Sequence, residues 1–231
     1  MNMAKKNQPV EEQHVEDVKT TLKDKPVGAW FEKNRKKVIW IASVILGLVL
    51  VGVGVYFFWY KPTVAKIDES NAKAKVYMDQ ANWKKALNGD GGDCVGFKAI
   101  ADKYPRFQGG KLAAAGAGVC YYHLGQYAEA ITYFEKFSAD DEDYNFGPAV
   151  SQMMGDAYVN LKQYDKALEK FNAVVATTHP VYAPMCLKKA GIVYLEKGNK
   201  AAAKKAFEAI KANYLDSYEA LNIEKYIAAA Q

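Results

Sequence analysis

The chain has 231 residues, 50% of them hydrophobic and 25% charged, with a formal net charge of +5 at pH 7. That excess is spread thinly. Residues 1–37 hold nine Lys/Arg against six Asp/Glu, residues 38–60 hold none, and residues 61–231 hold twenty-two against twenty, so no basic nucleic-acid face is indicated. Three cysteines without short spacing exclude a disulfide framework and a C-x2-C metal site. Cys120 and Cys186 are expected as buried free thiols, and Cys94, in a Gly/Asp-rich stretch, as exposed.

Residues 1–9 are polar, and Val15, Val18 and Leu22 space out a faint amphipathic helix that Pro26 and Gly28 end. Trp30 and Phe31 then lead into the basic cluster Lys33, Arg35, Lys36 and Lys37. Val38 to Tyr60 follows, 23 residues without a charge. As a helix it spans roughly 34 Å, enough for a hydrocarbon core of about 30 Å. Trp40 near one end, and Phe57, Phe58, Trp59 and Tyr60 at the other, stand where interfacial aromatic belts stand. Four cations precede the segment and only Lys61 and Lys66 follow it closely, so the positive-inside rule places the N-terminus in the cytoplasm. The run is too long, and starts too late, for a cleavable signal peptide. Ser43, Gly47 and Gly54 form one stripe of small residues at i, i+4 and i+11, a candidate lateral contact in the membrane. The expected division is a cytoplasmic tail 1–37, a transmembrane helix 38–60 and an extracytoplasmic domain 61–231.

Beyond the anchor a four-residue pattern recurs. Gly118, Tyr121, Ala130 and Phe134 stand at offsets 0, +3, +12 and +16; Gly155, Tyr158, Ala167 and Phe171 repeat it, and so do Gly191, Tyr194, Ala203 and Phe207. The period is 37 and then 36 residues. Each unit reads as two antiparallel helices, broken near Gly125-Gln126, Lys162-Gln163 and Gly198-Asn199. The small residue lets the second helix approach, the Ala faces it, and the two aromatics are expected to fill the seam between stacked units. An earlier, decayed unit precedes them: helices over 64–88 and 94–104 joined by the turn Asn88–Asp93, with Ala81 at the Gly site, Phe97 lying 37 residues before Phe134, and Lys84 and Asp93 in place of Tyr and Ala. Asp216-Ser217 are placed to cap a last helix from Tyr218 to about Ala229, whose Leu221, Ile223 and Ile227 would cover the open end.

The pattern resembles the tetratricopeptide repeat, with its G-x2-Y and A-x3-F spacings over about residues 111–213. The motif's Trp site holds Ala114, Ser151 and Leu187 instead. The resemblance implies an all-α fold: one transmembrane helix, then a helical-hairpin solenoid of three clear repeats plus one degenerate, closed by a capping helix. Topology narrows the likeness. A short tail, one anchor and an exported repeat domain are similar to the ancillary subunit of the bacterial Sec translocon, a periplasmic chaperone-like family. The segments FEKNRKKV, ALNGDGG, DKYP and YYHLGQYAEAITYFEKF look like its Bacteroidetes-type version. That likeness implies a bacterial inner-membrane location, a periplasmic repeat domain, and partners among translocating or folding envelope proteins, with the Sec translocon as the site of action.

Catalytic chemistry is not expected. His14 lies before the anchor, His123 and His179 fall in different repeats, and no nucleophile elbow, zinc-binding helix or phosphate-binding glycine loop occurs. Asp90 and Asp93 lack the further ligands of a calcium loop, and Asp140–Asp143 reads as a solvated inter-repeat loop. No cofactor or metal is expected. In stacked pairs the first helices line the concave groove. By the motif's numbering its positions are Ala115, Val119, Tyr122 and His123; Gln152, Asp156 and Asn160; and Met185, Lys188, Ile192 and Glu196. That mixture suits an extended peptide or a partner's loop. Two function classes fit: a membrane-tethered adaptor or chaperone with many clients, and a fixed scaffold subunit of an envelope secretion, assembly or division complex.

Overall fold

The computed structural model describes residues 26–137 and 146–231, and among these every regular element is a helix, joined by turns and short irregular segments. The expectations for Val15, Val18, Leu22, His14 and Asp140–Asp143 lie outside the described residues. The chain divides into two compact units, Met1–Pro62 and Thr63–Gln231.

The first unit contains helix α1, Pro26–Val55, followed by a π-helical turn at Tyr56–Tyr60. An 18-residue window has mean hydropathy 2.7 and none of it is buried, so the helix is long and apolar enough to cross a membrane. In the π turn the Lys61 N–H donates to the Tyr56 carbonyl, and the Tyr56 and Tyr60 rings stack at 5.6 Å.

The second unit takes up α2, Lys61–Asp79, from Thr63 onward, then α3, Trp83–Asn88, and α4, Gly96–Lys103. Three hairpins follow: α5 (Gln108–His123) with α6 (Tyr127–Lys136), α7 (Gly147–Asn160) with α8 (Tyr164–Ala176), and α9 (Tyr182–Glu196) with α10 (Lys200–Asn213). A 3-10 turn, Tyr218–Asn222, and α11, Ile223–Ala229, close the stack. The three hairpins share one turn. The N–H groups of Gln126, Gln163 and Asn199 donate to the carbonyls of Tyr121, Tyr158 and Tyr194 at 2.9, 2.9 and 2.8 Å. The residue before each donor is left-handed: Gly125 at φ 75°, Lys162 at 58° and Gly198 at 73°. This is the helix-ending geometry that favours glycine.

A fourth copy of the turn corrects the decayed unit. The Asn82 N–H donates to the Tyr77 carbonyl at 2.8 Å, and Ala81 has φ 56°. Ala81 is therefore the turn residue, and the positions of Gly118, Tyr121 and Ala130 are taken by Ala74, Tyr77 and Ala86. These stand 44 residues earlier, not 37. The excess of seven is the length of the segment Gly89–Val95, which splits the second helix into α3 and α4. Phe97, beyond the segment, keeps its spacing of 37 to Phe134. Asp90 holds the segment in shape: Oδ1 accepts from the N–H groups of Gly92 (2.9 Å) and Cys94 (3.2 Å), and Oδ2 from the Tyr77 hydroxyl (2.8 Å). Those donors keep the Asp90 carboxyl below its ordinary value, the Gly92 N–H foremost. The folded segment also buries Cys94, against expectation.

The repeat phenylalanines make a contact inside their own hairpins that the expected inter-unit seam did not include. Phe134, Phe171 and Phe207 are fully buried, each over its own unit's glycine. A Cβ on Gly118, Gly155 or Gly191 would lie 2.5, 2.3 and 2.3 Å from the respective ring. Ala130, Ala167 and Ala203 are buried beside them. The conserved spacing is thus a ring-on-glycine contact inside each hairpin; each such burial contributes about 1.5–3 kcal/mol. At the end of the stack, Ile223 is buried and Tyr226 packs on Phe207 at 5.4 Å. Leu221 is 73% exposed, because the tighter 3-10 turn carries it off the covering face. Ser217 heads that turn without a side-chain cap.

Candidate functional site: the face of the first helices

The first helices α5, α7 and α9 lie side by side in sequence order. Ala113, Ala114 and Ala117 of α5 are buried, so this helix approaches its neighbours through small side chains. Ala115 is buried with them and leaves the expected groove set. Val119 and Met185 are half-buried.

Asp156 on α7 is the centre of the polar contacts. Its carboxylate accepts from Lys189 Nζ of the next first helix at 2.7 and 2.6 Å. Gln152 Nε2, one turn back on α7, donates to the same carboxylate. Asn160 Nδ2 donates to the Asp156 carbonyl at 2.9 Å. Burial raises the Asp156 carboxyl above its ordinary value, while Lys189 and Gln152 pull the other way. Tyr122 on α5 is half-buried, and its hydroxyl is raised first by burial and then by the Asp156 charge. Tyr122, Gln152, Asp156 and Asn160 are therefore brought together.

An aromatic group adjoins them. The Tyr122 ring meets His123 at 5.6 Å and Tyr127 at 5.5 Å, both edge-on. His123 is exposed and stacks flat on Trp83 of α3, 4.0 Å between centroids with 8° between planes. On α9, Ile192 and Glu196 are exposed. Lys188 turns away from Asp156 and sets its Nζ 4.8 Å from the Tyr226 ring.

Sequence reasoning missed Lys189 and Trp83. The pair Lys188-Lys189 offered both lysines, and motif numbering selected the one that faces α11. Trp83 was hidden by the seven-residue slip, which removed it from the start of a second helix. In the other unit, Ser43 Oγ donates to the Ile39 carbonyl at 2.9 Å, and nothing lies within 4 Å of a Cβ built on Gly47 or Gly54. That stripe is open. Among the described residues no three His, Cys, Asp or Glu side chains are grouped to hold a metal. The face offers flat aromatic rings, a cross-helix ion pair and a branched apolar side chain, a set for non-covalent binding.

Comparisons with known proteins agree with this architecture. The family described as "Tetratricopeptide repeat-like domain" matches residues 28–224. Response regulator aspartate phosphatase J of Bacillus subtilis (strain 168) is 29% identical over 136 residues, 52% of this chain and 36% of that protein. The chain thus spans little more than a third of that relative. The crystal structure of MamA is similar in fold, with a TM-score of 0.54 at 16% identity, over 68% of this chain and 81% of that one. Nearly identical repeats of a putative kinesin light chain from Podosopora anserina give a TM-score of 0.54 at 17% identity, over 71% and 84%. Repeats of this kind indicate protein partners.

Proposed function

Since the chain belongs to the tetratricopeptide repeat-like domain family, we propose that it is a membrane-tethered adaptor, without enzymatic activity, that binds extended segments of exported or envelope proteins. In this reading α1 crosses the bacterial inner membrane, residues 1–37 are cytoplasmic, and the repeats face the periplasm beside the Sec translocon. The observation that carries it is the ion pair of Asp156 with Lys189 between successive first helices, with Tyr122 within reach of the Asp156 charge on the preceding one and Ile192 exposed on the same helix as Lys189. Aromatic stacking, hydrogen bonding and apolar burial are the means by which such surfaces hold an extended chain. Few of these anchors are large, so affinity for one client is modest and tethering raises the effective concentration.

Photo-crosslinkers at Tyr122, Asp156 and Ile192 test the surface. They are expected to capture several envelope proteins, whereas crosslinkers at Glu135 and Lys170 on second helices capture few. Equal capture from both faces rejects the groove. A single stoichiometric product would mark a fixed scaffold subunit instead. For topology, reporters active only outside the cytoplasm are expected to work when fused after residue 61 and fail when fused before residue 37. The reverse pattern overturns the orientation.

A further inference from the structure

The basic cluster before the apolar run is sorted by face. At 3.6 residues per turn, Lys33, Lys36, Lys37 and Trp40 fall within a sector about 100° wide, and Arg35 falls on the opposite side of α1. All four are exposed, Trp40 at 69%. Lys36, Lys37, Trp40 and Ile41 line an open recess of about 450 Å³. No ion pair engages these lysines among the described residues. Val44 continues the same sector and Leu48 lies about 20° beyond its edge, both as exposed hydrocarbon, 42% and 67%.

We infer that this face is a binding site for one acidic phospholipid of the phosphatidylglycerol type, in the leaflet next to residues 1–37. The inference rests on the membrane-spanning reading above. Three ammonium groups surround the level of a lipid phosphate, which lysine attracts as a point charge. The Trp40 indole sits one turn deeper, at the polar–apolar boundary where its N–H meets ester oxygens and its ring meets chain. Val44 and Leu48 then give an acyl chain a surface to lie along. A diffuse basic collar would attract the same leaflet without choosing a face, and each of its cations would count alike. Here Arg35 is excluded by geometry.

The test uses the full chain in nanodiscs of equal palmitoyl-oleoyl phosphatidylcholine and phosphatidylglycerol, with retained lipids counted by native mass spectrometry. Phosphatidylglycerol is expected to be retained at least roughly tenfold over phosphatidylcholine, as the three surface lysines allow. Lys36→Gln with Lys37→Gln should bring the ratio near parity, Lys36→Arg with Lys37→Arg should restore it, and Arg35→Gln should leave it within about twofold. Equal retention of both lipids by the unaltered chain overturns the inference, and so does an Arg35→Gln loss as large as that of the Lys36→Gln, Lys37→Gln pair. A chain that enters no nanodisc of either lipid overturns the membrane-spanning reading together with it.

Discussion

Gly155 lies beneath the ring of Phe171, so close that a Cβ on the glycine would stand 2.3 Å from the ring's Cε1. The ring is fully buried and the backbone below it is helical, so neither partner has room to shift. Phe171→Ala is expected to cost about 3–5 kcal/mol, as other buried phenylalanine deletions do. Gly155→Leu is expected to cost at least about 1–3 kcal/mol through overpacking. Thermal unfolding of the full chain in detergent, followed by circular dichroism, reads both. An unchanged transition in both variants would mean that this contact does not hold the hairpin.

The same contact explains what could be read from residues alone. Gly, Ala and Phe recur because one packing geometry demands them: a ring over a glycine with a small side chain buried beside it. Three hairpins with intact spacing were therefore legible, and so was the uncharged run, which is divided between the later part of α1 and the π turn after it. The first hairpin was misplaced because spacing is counted along the chain, whereas packing tolerates a bulged segment. Gly89–Val95 folds on Asp90 and leaves both halves of the split helix in register with the core. Half of the polar centre on the face of the first helices was hidden for another reason. Motif numbering fixes which way a Cα faces, but Lys189 reaches Asp156 through a long side chain that numbering does not follow.

Lys162 is the one turn residue of the three clear hairpins that is not glycine, and its φ is 58°. A side chain in that region costs roughly 1–2 kcal/mol. Lys162→Gly removes the strain but frees the unfolded chain, which returns about 0.4–1 kcal/mol. A net gain of about 0.5–1 kcal/mol is expected, seen as a higher melting temperature. Gly125→Lys should lower it. A fall with Lys162→Gly would show that the lysine makes a compensating contact.

Burial pushes the thiols of Cys120 and Cys186 up to about 12. At pH 8 almost none of either is thiolate, the reactive form. The folded chain should therefore resist iodoacetamide at these two positions over the time in which urea-unfolded chain is fully alkylated. Peptide mass spectrometry distinguishes the sites. Fast labelling of either in the folded chain would mean that the hairpin opens locally or that the thiol is not buried.

Asp156 gives a pH dependence whose sign is fixed by burial. Its carboxyl is raised in the folded state, first by desolvation, so folding favours the protonated form. The stabilising contribution is complete below the unfolded value of about 3.9 and is lost as pH rises through the folded value. Asp156→Asn cannot titrate there. Urea unfolding of both chains between about pH 3.5 and 6.5 should show the unaltered chain losing stability relative to Asp156→Asn as pH rises. Lys189→Met removes the cation that pulls Asp156 back, so in that background the relative loss should be steeper. It should also lower stability near neutral pH by about 1.5–3 kcal/mol, the range for a lost hydrogen bond to a charged group. A relative gain with rising pH would mean that attraction to Lys189 outweighs desolvation, and that the ion pair clamps the two repeats together.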